Sequence, residues 1–112
     1  MSGRRRLVLL FASAALASAA LASAALAAET LHITQKKRSF SQPEITVNAG
    51  DTVQFGNDDE FIHQVYVDSP VFKVDTAESE PGNNIDVKFT TRGDFEVHCH
   101  IHPKMLLLVH VQ

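Results

Sequence analysis

The chain has 112 residues, with ten Lys and Arg against thirteen Asp and Glu and a formal charge of −3. That length leaves room for one small domain, and the acidic balance disfavours a nucleic-acid partner. A single cysteine, Cys99, rules out an internal disulfide as the source of stability.

In chain order, Arg4, Arg5 and Arg6 precede an uncharged run of apolar and small residues, Leu7 to Leu26, and Ala25-Leu26-Ala27 offers small residues where a signal peptidase reads. A basic start, an apolar middle and an A-x-A end predict a secretory signal peptide over 1–27 and a mature domain over 28–112, exported to the periplasm. The run of about 20 residues is long enough for a bilayer. Its Ala and Ser content inserts weakly and the cleavage site follows at once, so no stable membrane span is expected after processing. Arg4-Arg5-Arg6-Leu7-Val8 also fits a loose twin-arginine export pattern. Loss of the three arginines leaves seven basic residues against thirteen acidic ones, a balance of about −6 that suits a basic protein partner.

Beyond residue 28 a period of two dominates, which predicts strands. Leu31 and Ile33 alternate with His32 and Thr34, Ile45 and Val47 with Thr46 and Asn48, and Val53 and Phe55 flank Gln54 after the turn Ala49-Gly50-Asp51. Asn57-Asp58-Asp59-Glu60 reads as a polar loop, and Phe61 to Val67 as another extended run. Residues 73 to 84 hold few large apolar side chains and contain Pro81-Gly82-Asn83-Asn84, so they read as a long loop. Ile85, Val87 and Phe89 alternate again. After the turn Arg92-Gly93-Asp94, Phe95, Val97 and Cys99 share one strand face, and Leu106 to Val111 supplies a last strand. About seven short strands separated by turns predict an all-β fold, a small β-sandwich.

The chemistry is concentrated in Val97-His98-Cys99-His100-Ile101-His102-Pro103-Lys104-Met105, which contains C-x2-H-x2-M. A thiolate, an imidazole and a thioether fall within seven residues. Two His and one Cys with a long axial Met is the donor set of blue copper. A second His must then come from elsewhere, and His63, beside the polar loop, is the best placed. It is expected to tie one sheet to the other through the metal, with Phe61, Phe95 and Leu106 supplying apolar surroundings. Taken singly, Met105 ahead of Leu106-Leu107-Leu108 reads as core and His63 as a structural histidine. The joint spacing, in an exported strand-rich chain with one unpaired thiol, points to metal.

The mature chain resembles the cupredoxin family, on the amicyanin and pseudoazurin side of the plastocyanin-like group. The resemblance runs through Phe40 to Val47, Gly50 to Asn57, His63-Gln64-Val65, Gly93 to Cys99, and Cys99 to Met105, which is similar to the short amicyanin-type ligand loop. It implies a Greek-key sandwich with one type 1 copper ion near one end, held by His63, Cys99, His102 and Met105. It also implies a non-enzymatic monomer that carries single electrons between redox proteins, such as a c-type cytochrome or an oxidoreductase, with the edge of His102 as electron port. Gln64 stands where many relatives have an Asn that locks the two ligand loops, so different wiring is expected there. Leu107 replaces a frequent Gly two residues after the Met.

Two rival functions remain. The same four ligands would serve a periplasmic copper-handling protein, for tolerance, storage or delivery, and the surplus histidines His98, His100, His32 and His110 favour that reading slightly. His98-Cys99-His100-Ile101 also resembles a piece of multicopper oxidases, but the further His-x-His pairs such a cluster needs are missing from the sequence. A weaker copper site at His98 and His100 is a separate expectation.

Overall fold

The structure is a computed structural model that describes residues 27–112. The predicted export segment therefore lies outside the described residues, apart from Ala27. Nine strands follow in chain order: β1 (Thr30–Lys36), β2 (Ser39–Phe40), β3 (Glu44–Val47), β4 (Thr52–Asn57), β5 (Val65–Asp68), β6 (Lys73–Asp75), β7 (Asn84–Lys88), β8 (Gly93–Cys99) and β9 (Leu106–Val111). They form two sheets, ordered β2-β1-β4-β7 and β3-β9-β8-β5-β6. The chain crosses between the sheets repeatedly, and β1 runs parallel to β4 as β3 does to β9. The all-β sandwich is as expected. No helix among the described residues is long and apolar enough to cross a membrane.

The period-two pattern does what it predicts along most strands. On β4, Val53 and Phe55 point inward and Thr52 and Gln54 do not. On β8, Phe95, Val97 and Cys99 are buried while Glu96 faces out. The inward residues of the two sheets close one core, with Phe55 and Phe89 its largest fully buried side chains. Burying such side chains, at roughly 1.5–3 kcal/mol each, is what holds a sandwich of this size together.

Four expectations need correction. Residues 73 to 84 are not all loop. Lys73–Asp75 pairs with β5 as an edge strand, and Ser79 makes an isolated bridge with His63. An edge strand buries little, so Val74 alone carried no alternation to read. The short β2 hairpin was also unforeseen. Its turn places Lys37 and Arg38 at φ 53° and 57°, in the left-handed region, where such side chains are uncommon. The run Phe61 to Val67 is extended only from Val65 onward. In the last strand the inward face is Leu107, Val109 and Val111, and Leu106 is 42 % exposed. A run of three leucines offers no alternation, and a one-residue slip reverses the faces.

Far from the end of β8 that carries Cys99, His110 joins three strands. Its Nδ1 lies 2.7 Å from Asp94 on β8 and its Nε2 lies 2.6 Å from Glu44 on β3. The hydrogen bond to Asp94, then that to Glu44, hold His110 above its ordinary 6.5. A folded-state value above the unfolded one gives stability that is complete below the unfolded value and is lost as pH rises through the folded one. The melting temperature is therefore expected to fall between mildly acidic and mildly alkaline buffer. His110→Gln should flatten that slope, as read by thermal denaturation across the range. An unchanged slope would show that the clasp contributes nothing.

Candidate metal centre

The site is built at the end of the sandwich where β4 and β8 finish and β5 and β9 begin. Cys99 is the last residue of β8 and pairs with Val65 on β5. The inward parity of Phe95 and Val97 carries it to full burial, as a free thiol. His63 lies two residues before β5. It is fixed by backbone bonds in both directions with Ser79, at 3.0 and 2.7 Å, and is fully buried. Its Nδ1 stands 3.7 Å from Cys99 Sγ. Two donors that share one first-row metal ion at roughly 2.0–2.3 Å and a tetrahedral angle stand about 3.6 Å apart, so this pair is spaced as donors to one ion would be.

His102 sits in the loop between β8 and β9, where the Met105 N–H donates to its carbonyl at 3.0 Å and closes the turn. Its ring centroid is 4.9 Å from that of His63, inclined by 65°. Its Nε2 is buried with no hydrogen-bond partner. A buried ring nitrogen normally has a partner, and a metal ion would supply one. Burial, then the neighbouring His63 ring and the Arg38 guanidinium, hold His102 below its ordinary 6.5. A neutral imidazole is the form that binds metal. Met105 is buried directly after this turn. The sequence-predicted donors are thus gathered unevenly: His63 and Cys99 are close, His102 lies ring to ring with His63, and Met105 follows in the same loop. No three His, Cys, Asp or Glu side chains among the described residues close into a finished metal cage. The donor chemistry and the partnerless nitrogen nevertheless fit a soft copper ion.

Two expectations about the surroundings change. Cys99 ends β8, the loop to Met105 joins β8 to β9, and His63 lies just ahead of β5, all three strands of the five-stranded sheet, so the donors are carried at the end of one sheet and not by both. Phe61 and Leu106 are 38 % and 42 % exposed, and of the three expected apolar neighbours Phe95 alone is buried. Phe61 lies edge-on to His102 at 5.8 Å, and the Arg38 guanidinium sits over its outer face at 4.4 Å.

Gln64 is bonded through both its backbone and its side chain. Its backbone N–H donates to Cys99 Sγ at 3.3 Å. Its side-chain amide donates to Asp75 and to the Thr76 carbonyl, at 3.0 and 2.8 Å, which ties the ligand region to β6. Leu107 is fully buried core.

Sequence reasoning missed Asn57 and Asp59. Asn57 occupies an inward position on β4, and its amide donates to the carbonyls of Phe61 and Ser79 at 2.8 and 2.7 Å. A polar residue at inward parity after Val53 and Phe55 was the signal available. Asp59 Oδ2 lies 3.0 Å from His63 Nε2 and accepts the Arg38 backbone N–H at 2.7 Å. Burial pushes its carboxyl up, but the Arg38 N–H, the His63 ring and the Glu60 N–H outweigh this and bring it down to about 2.

His98 and His100 both lie beside Tyr66. Tyr66 stacks on His100 at 3.8 Å and 9°, and lies 5.7 Å from His98. His100 Nε2 is held 3.2 Å from Asp75, and His98 lies 3.7 Å from Glu96. Each imidazole thus has an acidic partner of its own.

A family model described as a cupredoxin-like domain matches residues 6–109, and the chain belongs to that family. Among solved structures it is similar to a single-site mutant of amicyanin in the Cu(I) state, at 26 % identity and a TM-score of 0.68, over 81 % of this chain and 88 % of that one. A purple cupredoxin from Nitrosopumilus maritimus matches at 19 % identity and a TM-score of 0.65, over 73 % of this chain and 99 % of that one, which shows a shared fold. The copper-containing nitrite reductase from Thermus scotoductus SA-01 matches at 24 % identity and a TM-score of 0.66, over 74 % of this chain. This chain spans 22 % of that enzyme's length. No curated protein matches.

Proposed function

We propose that this protein is a periplasmic type 1 copper protein that carries single electrons between redox proteins, with His63, Cys99, His102 and Met105 as its ligands and no catalytic step of its own. The observation that carries the reading is the 3.7 Å approach of His63 Nδ1 to Cys99 Sγ beside a buried, partnerless His102 Nε2. Bound copper would supply one-electron cycling between Cu(II) and Cu(I). The chain's own residues do the rest. The paired strands β5 and β8 hold His63 and Cys99 at fixed separation, so little rearrangement accompanies a change of charge. The Gln64 N–H holds the Cys99 sulfur in place. Phe61 covers one edge of His102, and with Ile62, Ile101 and Leu106 it leaves exposed apolar surface on segments next to the ligands. Such surface suits contact with a partner of the c-type cytochrome or oxidoreductase kind. Likeness to amicyanin over most of both chains supports a small single-domain carrier, and the basic, apolar, A-x-A start of the sequence supports export.

The test is to load the purified protein with Cu(II) and record its optical spectrum, its stoichiometry and its voltammogram. The expected result is one equivalent, intense visible absorption and reversible Cu(II)/Cu(I) cycling with the metal retained. Ready release of Cu(I) to a chelating acceptor would favour copper handling instead. A protein that stays colourless and metal-free would end the copper reading.

A further inference from the structure

We infer that Asp59 is a positioning residue for His63, an assignment that rests on the copper site proposed above. The Asp59 side chain is only 6 % exposed and that of His63 is fully buried, so neither can turn away to water. Every polar contact of the carboxylate holds it in one orientation. Oδ1 accepts the Glu60 N–H at 3.0 Å and Oδ2 accepts the Arg38 N–H at 2.7 Å. The Asp59 N–H itself donates to Asn57 Oδ1 at 2.9 Å, which sets the loop.

Oδ2 is left pointing at His63 Nε2, 3.0 Å away. A carboxylate can only accept, so the proton of the neutral imidazole belongs on Nε2 and the lone pair on Nδ1. Nδ1 is the nitrogen that faces Cys99 Sγ. The opposite tautomer would aim an N–H at the sulfur and leave two lone pairs facing each other across the Asp59 contact. Carboxylates that orient a ligating imidazole through its far nitrogen fix both tautomer and ring direction.

The same oxygen explains the uncommon turn. Lys36 pairs with Ser39, so Lys37 and Arg38 form a two-residue hairpin turn with both φ angles positive. That geometry favours Asn-Gly, yet two long cationic residues occupy it. The Arg38 N–H bond to Asp59 is one contact that holds them there. Asp59 thereby links the four-stranded sheet, through the β1–β2 turn, to His63 just ahead of β5 of the five-stranded sheet. A tie between sheets does exist at this end, and it runs through a carboxylate.

Two readings test the assignment. The first uses metal-free protein labelled with 15N at histidine, where the ring-nitrogen shifts report the tautomer. Wild type should show His63 protonated on Nε2. Asp59→Ala should lose that preference, and Asp59→Asn, which keeps an oxygen acceptor, should retain much of it. The second is Cu(I) affinity by chelator competition, expected to fall roughly 10- to 100-fold in Asp59→Ala, with Asp59→Asn in between. Should Asp59→Ala fail to fold, the wild-type tautomer and the Asp59→Asn affinity still decide. Wild-type His63 protonated on Nδ1, or variants with unchanged tautomer and affinity, would overturn the assignment. A wild type that binds no copper while showing the Nε2–H tautomer would instead overturn the copper site and leave the positioning of His63 intact.

Discussion

Replacing Cys99 with alanine is expected to abolish the intense visible absorption of the Cu(II)-loaded protein. The thiolate is the one donor here able to give charge to Cu(II) at visible energies, and no second cysteine can substitute for it. Copper affinity should fall by more than the roughly 10- to 100-fold that loss of an outer-shell partner costs, because a direct sulfur donor is removed and soft-metal preference goes with it. The fold should survive. Cys99 is small and fully buried, and its truncation should cost about 1 kcal/mol, near the middle of the range for single substitutions. The metal-free variant should therefore melt cooperatively and only slightly below wild type. The pairing of lost colour with retained fold is the discriminating result. A variant that kept its colour would remove Cys99 from the site, and one that lost both would say nothing of ligation until the Gln64 N–H and β5–β8 contacts had been examined separately.

What could be read from the residues, and what could not, follows from how local each signal is. Cys99, His102 and Met105 lie within seven residues, so their spacing is visible without a fold, and the inward parity of Phe95, Val97 and Cys99 needs only one strand. The approach of His63 to Cys99 was expected, but not the strands that carry it, because the pairing of β5 with β8 joins Val65 to Cys99 and leaves no mark on either segment alone. Asp59 was hidden for a different reason. In a loop of Asn57-Asp58-Asp59-Glu60, any member reads as solvated, and only the turn at Lys37–Arg38, itself unpredicted, selects the one whose carboxylate is enclosed. Leu106 was expected among the apolar surroundings of the site because a run of leucines carries no phase; the phase is set by Val97 opposite Leu107 across the β8–β9 ladder.

The second large effect is expected from Phe55→Ala, which should cost about 3–5 kcal/mol. Phe55 is fully buried on β4, an interior strand of its sheet, and packs edge-on against Phe40 of β2 at 5.9 Å. At roughly 0.05–0.15 kcal/mol per residue, a domain the length of the described residues has about 4–13 kcal/mol in total. The substitution therefore removes about a quarter of the stability at least, and at the lower end of that range most or all of it. Chemical denaturation of the metal-free protein is the measurement, with Phe61→Ala beside it. Phe61 is partly exposed and its contact with Arg38 is a surface cation–π pair, so its removal should cost about 1 kcal/mol or less. Copper adds a second check, since a ligand that binds only the folded state stabilises it in proportion to the logarithm of its excess over Kd. Loaded Phe55→Ala should recover folded structure that the metal-free form lacks. Loss of Phe55 also frees Phe40, and with it the β2 hairpin whose turn is held by Asp59, so the variant's copper affinity should drop along with its stability. Equal costs for Phe55→Ala and Phe61→Ala would mean that the core does not sit between the two sheets as described.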